Sequence, residues 1–199
     1  MKTSLTTNTK ARILETAILL FSQQGYDKVS MRDIATQVQI TAPALYNHFK
    51  SKQQLYQQAV SNAFADKSQH LLQTLSTPES PIVQLERFVG CFSEILHADP
   101  NFRRLMQREL LDRDEARLKF LANTVVSEVL QSLMALLERL EPGCDAQVLA
   151  ESIIGMIKQH YDFTLLYPFL PMKPAQQQSP AYIAEQVMRI LRSHFGAKM

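Results

Sequence analysis

Between Ser30 and Lys52 the chain gathers side chains suited to gripping a polyanion and probing a flat hydrogen-bonding surface. The Asn47 amide both donates and accepts, which matches the edge of an adenine or a phosphate oxygen. Ala42, Pro43 and Ala44 are small or compact, so a backbone carrying them can come close, and their carbons suit a thymine methyl. Tyr46 and His48 flank this set with a hydroxyl and an imidazole N–H, donors that position a helix but carry little sequence information. Lys52 stands at an expected helix start, where its ammonium and the free backbone N–H groups both favour a phosphate. Ser30 and Thr41 occupy two further helix starts and add hydroxyl or N–H donors.

These residues need two short helices and a tight turn to hold them. Met31, Ile34, Ala35 and Val38 mark one face of the first helix. After a break at Gln39-Ile40, the second begins at Thr41-Ala42-Pro43, turns Leu45 and Phe49 inward and leaves Pro43, Ala44 and Asn47 outward. That is a helix-turn-helix signature, whose second helix is laid in the DNA major groove. Upstream, a helix is expected from an N-cap at Asn8 or Thr9 to Gln24, behind a frayed tail and closed by a left-handed Gly25. Ser30 with Asp33 reads as a capping box, and Ser51 with Gln54 repeats the pattern ahead of a long helix carrying Leu55, Ala59, Phe64, Leu71 and Leu75.

The 199 residues, 46% of them hydrophobic and 5 of them glycine, fit an all-α chain. The clearest break is Thr77-Pro78-Glu79-Ser80-Pro81. Beyond it helices are expected over 81–97, 101–112, 114–140, 145–167 and 180–195, interrupted by Asp99-Pro100, Glu141-Pro142-Gly143 and the glutamine-bearing 168–180 stretch. No run of about 18 apolar residues is apparent, so no membrane span is expected, and the polar N-terminus lacks a signal peptide's apolar region. Cys91 and Cys144 stand far apart and read as ordinary thiols of a cytoplasmic protein. The net charge of +2 is uneven: residues 1–60 carry +4 and the remainder −2, which places the basic excess on the helix-turn-helix.

The segment Ala11–Leu55, with F-x-x-x-G-Y, S-M-R-D-I-A and L-Y-N-H-F-K-S-K-x-x-L, resembles the TetR/AcrR family of bacterial transcriptional regulators. At the turn, Gln39-Ile40-Thr41 stands where many members have a glycine or a valine-serine pair. The resemblance implies an N-terminal three-helix bundle with the helix-turn-helix and a larger helical C-terminal domain. The boundaries are 1–52 for the DNA-binding part and 53–199 for effector binding and dimerisation, with helix four shared. It implies that Tyr46 and His48 contact phosphate, that the chain is a homodimer joined by its last two long helices, and that a small-molecule effector releases a repressor from double-stranded operator DNA.

Candidates for the effector pocket are apolar and aromatic positions at helical spacing: Phe88 and Phe92, Phe102 and Met106, Leu121 and Val125, then Met156, His160, Tyr161 and Phe163. Such residues build small-molecule sites but serve equally as plain core. Arg103, Arg104 and Arg108 read as a solvated face. For the dimer, Ile183, Val187, Ile190 and Leu191 recur at helical spacing, and a symmetric dimer reads a palindromic operator. The sequence shows no H-E-x-x-H, G-x-S-x-G, P-loop or dinucleotide fingerprint, so no catalytic residue, metal or cofactor is expected. Two rivals stay open: a DNA-binding dimer with no effector, and a redox sensor acting through Cys91 or Cys144.

Overall fold

The structure, a computed structural model, describes residues 2–164, 166–171 and 179–196, with side chains over 9–164, 166–171 and 179–195. The described residues are helical and contain no strand. Helices α1 (Lys2–Gln24), α2 (Met31–Val38), α3 (Ala42–His48) and α4 (Lys52–Leu75) are followed by α5 (Pro81–Ala98), α6 (Pro100–Asp112) and α7 (Glu115–Leu121). A π-helical turn, Ala122–Val126, leads into α8 (Ser127–Leu140), then α9 (Ala146–Phe163), a 3-10 turn (Tyr167–Phe169) and α10 (Pro180–Gly196). The chain forms two compact units, residues 1–66 with 100–125 and residues 67–99 with 126–199. This division cuts the chain elsewhere than the 52/53 boundary read from the DNA-reading segment.

The first unit is built on the apolar faces of α1 to α4. Ile13, Ala17 and Phe21 of α1 meet Ile34 and Val38 of α2, Leu45, and Leu55, Val60 and Phe64 of α4 in one buried cluster. Leu105 of α6 and Leu121 of α7 belong to the same cluster, and Phe102, Met106 and Val125 pack against it. That packing explains why residues 100–125 fold with the N-terminal segment, although residues 67–99 separate them in sequence.

The second unit packs α5, α8, α9 and α10 together. Leu85, Phe88, Val89 and Leu96 on α5, with Leu133 and Leu137 on α8 and Ile153 and Ile157 on α9, are buried. Ser93, Tyr161 and Gln84 in its interior are paired. The Tyr161 hydroxyl donates to the Ser93 carbonyl at 2.7 Å and lies 2.8 Å from Ser93 Oγ. Gln84 Oε1 accepts from Arg139 at 2.7 Å. Buried hydroxyls and amides are tolerated because they find such partners.

Four expectations change. Helix α1 starts at Lys2, because no proline or glycine interrupts the segment before Gln24, so Asn8 and Thr9 are not its caps. The expected 114–140 helix is divided by the π turn. The expected 145–167 helix ends at Phe163, since Pro168 has no N–H to bond the carbonyl four residues before it and its ring clashes there. One helical run, Glu115–Leu140, is after all long and apolar enough to cross a membrane by length and composition; its scattered charges hid it from a search for unbroken apolar sequence. The glutamines at 176–178 lie outside the described residues.

Candidate nucleic-acid interface

The interface is set by three successive caps. Ser30 Oγ accepts from the Asp33 N–H at 3.2 Å while Asp33 Oδ2 accepts from the Ser30 N–H at 2.8 Å and its hydroxyl at 2.7 Å. This reciprocal box starts α2. The Ser30 hydroxyl and N–H both bond to Asp33, which holds that carboxyl below its ordinary pKa. At the far end Gln39 takes the left-handed conformation at φ 61. Its N–H and that of Ile40 satisfy the Thr36 and Ala35 carbonyls at 3.0 and 2.9 Å, so the helix closes and the chain turns sharply. Here a glutamine does what glycine does in many resembling sequences.

Thr41 then caps α3, with Oγ1 accepting from the Ala44 N–H at 3.3 Å. Pro43 sits in the first turn, where its missing N–H is no loss. Leu45 and Phe49 are fully buried and anchor the helix. The face they leave outward carries Pro43, Tyr46 and Asn47, all exposed, with Ala42, Ala44 and His48 partly so. Tyr46 is 45% exposed, so its hydroxyl is open to a partner. His48 lines a groove with Lys10, Gln58 and Asn62.

Two cations hold the reading helices from α1. Arg12 donates to the Val38 carbonyl at 2.9 Å, at the C-terminal end of α2, where a positive charge is favoured. The Lys10 ammonium lies 5.8 Å from the centre of the Phe49 ring. No local sequence pattern marks either contact, because the partners are 26 and 39 positions away.

Lys52, expected at a helix start to meet a phosphate, also has partners inside the fold. Its Nζ donates to the Tyr26 carbonyl at 2.8 Å and lies 4.2 Å from the Tyr26 ring centre. Burial lowers its pKa, with Asp27 opposing that shift. Ser51 Oγ caps α4 through the Gln54 N–H at 3.1 Å, and Gln54 Oε1 accepts from the Lys50 N–H at 2.7 Å. The box is therefore present but shifted back by one residue on its return bond.

Arg108, read from the sequence as part of a solvated face, and Arg117, which the sequence reading passed over, fix the link between α1 and α2. Arg108 donates to the Ser22 carbonyl at 2.8 Å and also to that of Gln23, capping the C-terminal end of α1. It is thus not part of a solvated face: two orphan carbonyls compete better than water for its fork. Arg117 pairs with Glu109 at 2.6 Å and Asp112 at 3.1 Å, and its Cζ lies 4.7 Å from the Tyr26 ring centre.

The remaining candidates fall into separate places. In the first unit Phe102 packs against Phe64 with centroids 4.6 Å apart, and Met106, Leu121 and Val125 adjoin the same core. In the second, the rings of Phe88 and Phe92 stack at 6.0 Å and Tyr161 is buried, while Met156 is partly exposed and His160 and Phe163 are exposed. Ile183, Val187 and Leu191 are buried within the chain's own second unit, whereas Ile190 is 57% exposed. Cys91 and Cys144 are free thiols; burial and then Glu94 raise the first, burial and then Glu138 the second. Among the described residues no three His, Cys, Asp or Glu side chains are grouped to hold a metal.

Residues 13–59 match the family model of bacterial regulatory proteins, tetR family. The chain is 46% identical over 55 residues to the biofilm operon icaADBC HTH-type negative transcriptional regulator IcaR of Staphylococcus aureus (strain Newman). That match covers 28% of this chain and 30% of the relative. Among solved structures it is similar to the TetR family transcriptional regulator PfmR from Thermus thermophilus, at 21% identity and a TM-score of 0.71 over 91% of this chain and 94% of the other. It is also similar to AibR, solved in complex with isovaleryl coenzyme A and operator DNA, at 21% identity and a TM-score of 0.69 over 92% and 97% of the two chains. This chain therefore carries the TetR/AcrR-family helix-turn-helix module at its N-terminus and has the fold of that family's solved regulators.

Proposed function

We propose that this protein is a homodimeric, sequence-specific DNA-binding transcriptional repressor that reads a palindromic operator and is released by a small-molecule effector. The observation that carries the reading is the outer face of α3. Pro43, Tyr46 and Asn47 are exposed on a helix whose inner face is fixed by buried Leu45 and Phe49. A helix held this firmly at both ends presents its side chains in one register, as groove reading requires. Ala42, Pro43, Ala44 and Asn47 face base edges. Ser30, Thr41, Tyr46, His48 and Lys52 face phosphates, the remaining N–H bonds of the Lys52 ammonium being available for one.

Dimerisation is supported by the outward residues of α9 and α10. Val148, Phe163, Tyr182 and Ile190 are large, apolar and exposed, and they suit a symmetric helical interface better than buried Ile183, Val187 and Leu191. Effector release is supported by the apolar second unit and by AibR, whose structure holds both an acyl-coenzyme A and operator DNA. The Glu115–Leu140 run is read as a helix of a cytoplasmic protein. It contains Lys119, Glu128, Glu138 and Arg139, and Leu133, Leu136 and Leu137 are buried in the chain's own core. No catalytic role is assigned.

Selection of bound duplexes from a random DNA pool tests this reading. A palindromic motif bound by two chains, with affinity falling steeply as salt rises, is expected. Recovery of no motif by the purified chain, with or without candidate effectors, would overturn it.

A further inference from the structure

We infer that the DNA interface extends off the reading helix into a groove between α1 and α4, where Lys10 holds a backbone phosphate of the duplex. The inference rests on the DNA-reading role proposed for α3. The groove measures about 730 Å³ and is lined by Lys10 and Leu14 of α1, His48 at the end of α3, and Gln58, Ser61 and Asn62 of α4. Helical spacing builds both walls. Lys10 and Leu14 stand one turn apart, and Gln58, Ser61 and Asn62 share one face of α4. Leu14 is largely buried, which gives the groove an apolar wall beneath polar side chains.

The chemistry of the lining selects an anion. Each of its polar side chains can donate a hydrogen bond, and none is a carboxylate. Among the described residues, the side chains of Lys10, His48, Gln58, Ser61 and Asn62 have no hydrogen-bond or ion-pair partner. Buried Phe49 brings the two strongest donors together. Its ring centre lies 5.8 Å from the Lys10 ammonium and 6.4 Å from the His48 ring centre. A ring contact at that distance leaves the three N–H groups of the ammonium for an oxygen acceptor. Phosphate oxygens accept from several donors at once, most strongly from a charged one. One exposed lysine among neutral donors holds a free anion only weakly. A duplex seated on α3 instead presents its phosphates at a high effective concentration, and His48 belongs to both the reading helix and the groove. The occupant is therefore the backbone of the duplex rather than a soluble phosphate.

The test is a salt titration of the full chain on a mixed-sequence duplex, because a phosphate contact is blind to sequence. Lys10→Gln should lower the slope of log affinity against log salt by about one and weaken binding at low salt by about tenfold. Lys10→Arg should keep the parental slope. Arg104→Gln removes the same charge from an exposed position of the same unit, beside Ser22, about 18 Å along α1 from Lys10. Its effect should stay below about twofold, with an unchanged slope. Melting curves without DNA confirm that the variants fold; a merely structural Lys10 would shift those curves and leave the slope alone. Should Lys10→Gln unfold, Gln58→Ala decides, with an expected loss of about fivefold in affinity at an unchanged slope. A parental slope in a folded Lys10→Gln variant, or equal losses of slope for Lys10→Gln and Arg104→Gln, would overturn the inference and leave the DNA-reading proposal standing. A parent chain that binds no duplex at low salt would overturn both. Inorganic pyrophosphate is the free-anion probe: saturable binding to the parent that Lys10→Gln abolishes, with the duplex slope unchanged, would assign the groove to a soluble phosphate and overturn the duplex as its occupant.

Discussion

The Lys52 ammonium donates to the Tyr26 carbonyl at 2.8 Å and lies over the ring of the same residue, 4.2 Å from its centre. One side chain thus ties the start of α4 to the link that leads into the reading helices. Truncation of Lys52 to alanine removes a charged hydrogen bond and a cation–π contact, and should destabilise the chain by ~1–2 kcal/mol. Denaturant melts measure this. If the ammonium also meets a phosphate, the same variant lowers the slope of log affinity against log salt by about one; an unchanged slope would leave Lys52 with the structural role alone.

Tyr46 is the opposite case, a side chain 45% exposed on the outer face of α3. Tyr46→Ala should leave the melting curve within ~0.5 kcal/mol of the parent and weaken binding to all duplexes alike. Competition assays with operator and unrelated DNA read this directly. A loss confined to the operator would instead make Tyr46 a base reader.

Gln39 holds a left-handed backbone at φ 61, a conformation that costs a residue with a Cβ roughly 1 kcal/mol relative to glycine. Gln39→Gly should therefore stabilise the chain by ~0.5–1 kcal/mol, the loss of unfolded-state order offsetting part of the gain. A lower midpoint in urea would show that the glutamine side chain contributes something the backbone does not reveal.

Removal of Arg108 should act on α1 rather than on a surface. Arg108→Ala leaves the Ser22 and Gln23 carbonyls without their guanidinium, at an expected ~1–2 kcal/mol. Arg104→Ala, one exposed position on the same helix, should cost less than ~0.5 kcal/mol. Equal effects for the two would refute the capping role.

Alkaline pH should destabilise the fold through the tyrosines. Burial, followed by the charge of Glu109, raises the Tyr56 pKa far above its ordinary 10.0, and burial also raises that of Tyr26. A raised folded value means that the stability is full below pH ~10 and is lost as pH rises above it, because the unfolded chain then ionises while the folded one does not. The lowered Lys52 value has the opposite sign in the same range. Melting midpoints should fall as pH rises from ~10 to ~11, and Tyr56→Phe should fall less steeply; a parallel decline would remove Tyr56 as the cause.

The sequence by itself determined the local structure of the reading head. Capping residues act within three or four positions, so Ser30 with Asp33, Thr41 ahead of Pro43, and Gly25 after α1 were legible without a fold. Helical spacing likewise marked Leu45 and Phe49 as inward and Pro43 and Asn47 as outward, since a helix repeats its faces every turn. Only the tertiary structure decided which distant groups meet. Arg108 on the α1 carbonyls, Arg117 on Tyr26, and Lys52 on the Tyr26 carbonyl join positions 26 to 91 residues apart, and a charged side chain carries no mark of its partner in the sequence. Apolar stripes posed the same problem at a larger scale. Ile183, Val187 and Leu191 had the right spacing for an interface, yet the chain's own α5 and α9 cover them, because a helix buries its apolar face against whatever surface the fold brings nearest.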